Sequence, residues 1–168
     1  MIAIIVAYSK NRVIGNKGII PWKIKGEQKR FKELTTENVV IMGRRSYEEI
    51  GKPLPNRTTI VISNTKTYSD VNCMTATSLS EALKMAEGRD VYIAGGVQLY
   101  KESMHLVDKM YITLIDKNVK GDTVFPQFNE GDFDIQVDER FEGEIPYTYM
   151  TYSRRKLISE NKCIKYNT

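Results

Sequence analysis

Apolar residues along the chain fall into two alternating rhythms. Ile2–Ala7 is a continuous apolar, β-branched run, and Val39–Met42, Thr59–Ile62 and Val91–Ala94 repeat it. Runs without polar alternation mark strands buried on both faces, as in a parallel sheet. Between them the period lengthens to that of a helix. Glu27–Leu34 sets Phe31 and Leu34 one turn apart, Ser46–Ile50 makes a short helix, and Ser80–Glu87 gathers Ala82, Leu83 and Ala86 on one side. Ser80 is the expected N-cap of that helix and Gly88 its stop. Gly96–Ser103 reads as a fourth helix.

The last third changes character. Met110–Ile115, Phe133–Val137 and Tyr147–Tyr152 are strand-like with no helical pattern between them, and are expected to complete the sheet antiparallel at one edge. The predicted fold class is α/β: a single domain with a mostly parallel eight-stranded sheet, helices on both faces and an antiparallel C-terminal edge. The domain is expected over 1–153, followed by a basic tail, 154–168, that need not be ordered.

Composition agrees with one domain. With 168 residues, 41% hydrophobic and 27% charged, the chain can bury a core without a metal or disulfide staple. No apolar run approaches the roughly 18 residues of a membrane span, and no basic segment precedes the first strand as in a secretory signal. Two distant cysteines, Cys73 and Cys163, and one histidine, His105, exclude a structural zinc site and a disulfide scaffold; a reducing cytoplasm is the expected address. The net charge of +4 is unevenly spread. Residues 1–57 carry 12 Lys+Arg against 5 Asp+Glu, residues 58–152 carry 8 against 15, and residues 153–168 carry 5 against 1. That pattern lacks the basic, aromatic-interleaved stripe of a nucleic-acid binder. It suits a small polyanion met by the N-terminal third.

The chemistry must come from few groups. There is no Walker loop, no Gly-x-Ser-x-Gly elbow and no Cys/His ligand pair. An enzyme here works with a carboxylate and a cofactor that brings its own reactivity. The long loop Tyr8–Lys23, with Gly15, Gly18, Pro21 and the single Trp22, is either a lid or a surface loop anchored by its tryptophan. Glu27 is the only acid among residues 10–32, which hold eight Lys+Arg. It is either a first-turn acid favouring a helix start or a buried acceptor for the paired N–H groups of a planar heterocycle. Two strand–glycine–helix junctions, Met42-Gly43-Arg44-Arg45-Ser46 and Ala94-Gly95-Gly96 leading to Tyr100, are either ordinary turns or the cradle of a nucleotide.

Taken in order, these pieces resemble the dihydrofolate reductase family. The resemblance rests on Val13-Ile14-Gly15, Pro21-Trp22, Glu27 with Phe31-Lys32, Val40-Ile41-Met42-Gly43-Arg44, Gly51-Lys52-Pro53-Leu54-Pro55-Asn56-Arg57, Ile93-Ala94-Gly95-Gly96 with Tyr100, Tyr111-Ile112-Thr113, and Gly121-Asp122-Thr123 with Phe125-Pro126. It implies NADPH-dependent reduction of 7,8-dihydrofolate, with hydride to pterin C6 and a proton to N5, in a monomeric enzyme open to antifolate inhibitors. It makes Glu27 the pterin-binding carboxylate, helped by Thr113 and by Trp22 through water. Arg57 then pairs with the α-carboxylate of the glutamate tail, assisted by Lys52, and Ile5, Phe31, Ile50 and Leu54 wall the folate slot. For the cofactor it implies main-chain groups of Ala7 and Ile14 at the carboxamide, Gly15 among the binding residues, and Gly43, Arg44, Arg45 and Ser46 at the phosphates. Arg44 and Ser63 are assigned to the 2′-phosphate and the amides of Gly96, Val97, Gln98 and Leu99 to the pyrophosphate; Asn64, Gly95 and Tyr100 also count as cofactor-binding, and the bond between the two glycines is expected to be cis.

This chain departs from the family pattern at three positions. Gln98 stands where many bacterial members place arginine, Gln28 replaces an apolar residue of the folate slot, and Ala94 replaces a larger aliphatic one. The run Gly26-Glu27-Gln28 is similar to that of transferable trimethoprim-resistant members. The alternatives are a same-fold reductase of riboflavin synthesis, a non-catalytic nucleotide-binding module, or an RNA-binding protein using the tail. Glu27, Trp22 and Arg57 together speak against the first.

Overall fold

The computed structural model describes residues 1–157. Its main sheet has eight strands in the order β5-β4-β3-β6-β1-β7-β10-β9. These are β1 (Ile2–Ser9), β3 (Val39–Gly43), β4 (Thr58–Ile62), β5 (Cys73–Ala76), β6 (Val91–Ile93), β7 (Lys109–Ile115), β9 (Phe133–Phe141) and β10 (Tyr147–Arg154). Two short strands, β2 (Val13–Gly15) and β8 (Thr123–Val124), pair apart from it. The helices are α1 (Glu27–Thr35), α2 (Arg44–Ile50), α3 (Leu79–Met85) and α4 (Val97–Ser103).

Alternation along the central strands sends side chains to opposite faces. Ile4, Ile41, Ile60, Ile93 and Ile112 point to one side, where Leu79, Ala82, Leu99 and Tyr100 of α3 and α4 cover them. Ala3, Ile5, Val40, Met42 and Val61 point to the other, against Phe31 and Leu34 of α1 and Tyr47 of α2. Ile41 and Met42 are both wholly buried, so truncating either to alanine should cost about 2–5 kcal/mol.

Several boundaries differ from expectation for local reasons. α3 starts after Ser78, not Ser80: the Ser78 hydroxyl accepts from the Glu81 N–H at 3.1 Å, while the Glu81 carboxylate accepts from Thr77 N–H and hydroxyl, each at 2.7 Å. α2 begins at Arg44, two residues early, and stops at Gly51, whose φ of 76° ends the helix with an N–H bond to the Tyr47 carbonyl. β7 belongs to the parallel part, pairing with β1 from Ala3↔Lys109 to Ser9↔Ile115. α4 carries the chain back across the sheet, so only β10 and β9 form the antiparallel edge.

The segment after β1 is not structureless. β2 pairs antiparallel with β8, and Gly121 lies beneath the pair. A Cβ at Gly121 would overlap Val13 Cγ1 and lie 2.6 Å from the Gly15 carbonyl oxygen. Only glycine lets these two segments close.

β9 is one outer strand of the sheet and β5 the other. Asp134 to Arg140 of β9 are all exposed. Arg154, counted with the tail in the sequence reading, ends β10 and donates to the Val107 and Met104 carbonyls at 2.7 and 2.6 Å. The rest of the tail from residue 158, with Cys163, lies outside the described residues.

Candidate active site

Glu27 opens α1 after Gly26, whose φ of 98° turns the chain into the helix. The Thr113 hydroxyl, on β7, lies 3.0 Å from each Glu27 carboxylate oxygen and can donate to either. Thr113 is held in register between Ala7 of β1 and Tyr149 of β10. Burial pushes the Glu27 carboxyl above its ordinary range; the Thr113 hydrogen bond and the nearby Arg30 oppose that rise. Trp22 is 9% exposed in the segment leading to α1, and the Tyr147 hydroxyl ties that segment to β10 through the Lys25 carbonyl at 3.1 Å.

Phe31 packs against Ile5, Ala3 and Tyr92 and also against Met42, Tyr47 and Val40, joining the two apolar clusters on this face. Leu54 joins the second. Ile50 is 39% exposed and Lys52 is exposed, both at the rim. Arg57 is only 6% exposed. Its Nε donates to the Pro55 carbonyl at 2.9 Å and its Nη1 to the Thr35 hydroxyl at 3.4 Å, and no ion pair among the described residues involves it. A buried guanidinium without a counter-ion suits an incoming carboxylate.

On the other side of the cleft, the Gly43 N–H donates to the Gly95 carbonyl at 2.8 Å, bringing both strand–glycine–helix junctions together. The Gly95–Gly96 peptide is cis. A Cβ on Gly95, at φ 118°, would lie 3.1 Å from the Ser46 Oγ and 3.5 Å from the Tyr100 hydroxyl, so only glycine fits. Tyr100 is buried beneath, donating to the Ile5 carbonyl at 3.0 Å. Neither α2 nor α4 has a side-chain cap, which leaves their first N–H groups available to phosphate oxygens. These residues fit a dinucleotide.

Beyond them Arg44 Nη1 contacts Glu48 Oε2 at 3.1 Å, Lys66 Nζ contacts Glu48 Oε1 at 3.2 Å, and the Tyr68 hydroxyl donates to the same carboxylate. Those donors hold Glu48 down at about 2. Ser63 is buried and its Oγ accepts from the N–H of Thr65 and Lys66, while Asn64 and Arg45 are exposed. Gln98 turns along its own helix to Glu102 at 3.1 Å. Ile14 and Gly15 lie in β2, against the end of β1.

The model of the family described as dihydrofolate reductase matches residues 1–154. The chain belongs to the dihydrofolate reductase family. It is 39% identical over 156 residues to dihydrofolate reductase type A13 of Escherichia coli, covering 92% of this chain and 94% of that protein. It is 34% identical over 152 residues to the dihydrofolate reductase of Bacillus subtilis strain 168, covering 89% and 90%. A solved dihydrofolate reductase from Enterococcus faecalis, complexed with NADP(H) and RAB-propyl, superposes with a TM-score of 0.84 at 32% identity, covering 93% of this chain and 97% of that one. The chain is an NADPH-dependent reductase of 7,8-dihydrofolate, and the riboflavin-pathway alternative is not favoured.

For this reductase the fold joins Glu27 to Thr113, packs Phe31 on the cluster of Ile5 and, with Leu54, on that of Met42, and brings Gly43, Ser46, Gly95 and Gly96 together. Arg44 differs from the simple expectation of a free cation, because it is already paired with Glu48. Sequence reasoning missed Glu48, Lys66 and Tyr68, which converge only through tertiary structure. It also missed Arg30, although its position one turn after Glu27 was a usable signal.

Proposed function

We propose that Glu27 is the group that binds and polarises the pterin ring, with Thr113 fixing its carboxylate. The observation that carries this reading is a half-buried acid, hydrogen-bonded to a β7 hydroxyl and opening the helix whose Phe31 packs against the cluster of Ile5. As a carboxylate it accepts two parallel N–H donors from a planar ring and stabilises positive charge that develops there when the ring nitrogen is protonated. Thr113 spends its one proton on Glu27, which orients the carboxylate. NADPH, when bound, supplies the hydride. Gly43, Gly95 and the unfilled N–H groups of α2 and α4 would hold its phosphates, with Ser46 packed behind them. Arg57 would pair with a substrate carboxylate, and β2 with Trp22 would exclude water. The proton delivered to N5 comes most simply from solvent, because no other acid of the described residues lies beside Glu27 and Thr113.

We also read the protein as a cytoplasmic monomer. Cys73 is buried and free, as suits a reducing compartment, and gel filtration checks the oligomeric state. The activity test is the fall of reduced-nicotinamide absorbance when folded protein, NADPH and dihydrofolate are mixed. Absence of turnover by a folded sample would overturn the reading.

A further inference from the structure

The described residues hold a half-buried charge that the chemistry above does not use. Arg30 lies one turn beyond Glu27 on α1, with its side chain 14% exposed. Its guanidinium sits 3.9 Å from the centre of the Tyr149 ring on β10, and its Nη2 lies 3.8 Å from Asp138 Oδ2 on β9. Its Nη1 is buried and meets no hydrogen-bond partner among the described residues. Burying a guanidinium with one nitrogen unsatisfied is costly, and neither a lone 3.8 Å contact nor an aromatic face satisfies it. Arg30 is thus a cation held behind the pterin site with attraction to spare.

We propose that Arg30 is a positioning residue for the reaction: acting through Glu27, it sets the charge with which the pterin site meets its substrate. The groups that face this pair are few. Thr113 on β7 donates to Glu27; Tyr149 on β10 and Tyr111 on β7 lie near Arg30; Asp138 on β9 competes for it. Burial pushes the Tyr149 phenol up to about 12, so it stays neutral in the working range. Arg30 is therefore the charge that acts on Glu27, and Asp138 is the opposite charge that acts on Arg30. Arg30 favours the carboxylate form, and Asp138 weakens Arg30 by drawing it toward the outer strand.

This inference rests on Glu27 being the pterin-binding carboxylate, and two variants test it with opposite expected signs. In Arg30→Met the acidic limb of the kcat/KM profile for dihydrofolate should move up by about one pH unit, because an opposite charge near a carboxylate is worth about that much or more. In Asp138→Asn, an exposed position that should not disturb folding, the same limb should move down by a smaller amount. Arg30→Lys should fall between wild type and Arg30→Met. If Arg30→Met lowers thermal stability and activity but leaves the limb in place, Arg30 is only a packing residue and the proposal fails. Should Arg30→Met not fold, an Asp138→Asn profile identical with wild type overturns the proposal by itself. A Glu27→Gln variant with full activity would overturn the Glu27 assignment instead, so the two failures are distinct.

Discussion

Glu27 and Glu48 are the same side chain put to opposite uses at the two ends of one cleft. Glu27 is half-buried, accepts a hydrogen bond from the Thr113 hydroxyl, and has its carboxyl raised by loss of water. Glu48 is exposed, meets Arg44, Lys66 and Tyr68, and is held down at about 2. Glu27, with Thr113 as its hydrogen-bond donor, is left wanting further donors, which a protonated heterocycle brings. Glu48 wants nothing, and keeps Arg44 in place while no phosphate is bound. Environment, rather than residue type, decides which carboxylate does chemistry.

The sharpest way to break this contrast is to neutralise both acids. Glu27→Gln should lose on the order of 2–4 kcal/mol of transition-state stabilisation in kcat/KM at pH 7, and the deficit should shrink in acid, where the substrate arrives protonated. A variant within twofold of wild type at pH 7 would falsify the pterin assignment. The next largest effect belongs to the cofactor end. Arg44→Ala should weaken NADPH about tenfold or more, as expected on losing a charge-assisted hydrogen bond, and leave NADH nearly unchanged. Equal loss for both would mean that Arg44 meets the pyrophosphate or only supports α2.

A smaller effect is expected with trimethoprim. Glu27→Asp shortens the carboxylate by one methylene, and Gln28→Leu restores an apolar surface at a position that is exposed here. Either change should tighten inhibition, by about 1–3 kcal/mol at most, while substrate, anchored also by Arg57, changes less. Inhibition of the wild type already in the nanomolar range and unmoved in both variants would remove the idea. The smallest effect is on melting temperature. Because burial raises Glu27, the folded protein holds a proton that the unfolded chain has released. Glu27 therefore costs stability as pH rises through that window, and Glu27→Gln should melt higher at pH 7, a gain that fades below about pH 4. Glu48 is depressed, so its stabilisation is present above the ordinary carboxylate range and is lost as pH falls toward about 2; Glu48→Gln should melt lower at pH 7. Shifts of the same sign in both variants would contradict the contrast.

Much of this was legible in the chain. The buried runs at Ile4, Val40, Ile60 and Ile93 announce a parallel sheet because strands covered on two sides are filled mostly by hydrophobic residues. Motif order placed Glu27 near Thr113, and Gly43 near Gly95, across long stretches of chain. The short pairing of β2 with β8 was not legible, since two or three residues carry no period. Nor was the direction of β7, which depends on α4 as a crossover and not on the composition of Met110–Ile115. The capture of Arg44 by Glu48 was missed for another reason: Lys66 and Tyr68 arrive from beyond β4, and only the fold gives them a common target.

The outer strands decide how this sheet behaves toward other copies of itself. An open strand edge invites a neighbour's backbone to hydrogen-bond to it, the first step of clumping. β5 offers only Cys73–Ala76, and part of that is already bridged by Asp70. β9 is longer, but it carries Asp134, Asp138 and Glu139 along its exposed length, with Ile135 and Val137 set between them. A second edge could pair there only by stripping water from these charged side chains and from Arg140, which blunts the strand. The charged side chains of β9 thus discourage a second sheet from adding to this one, a role that lies far from the residues that bind substrate.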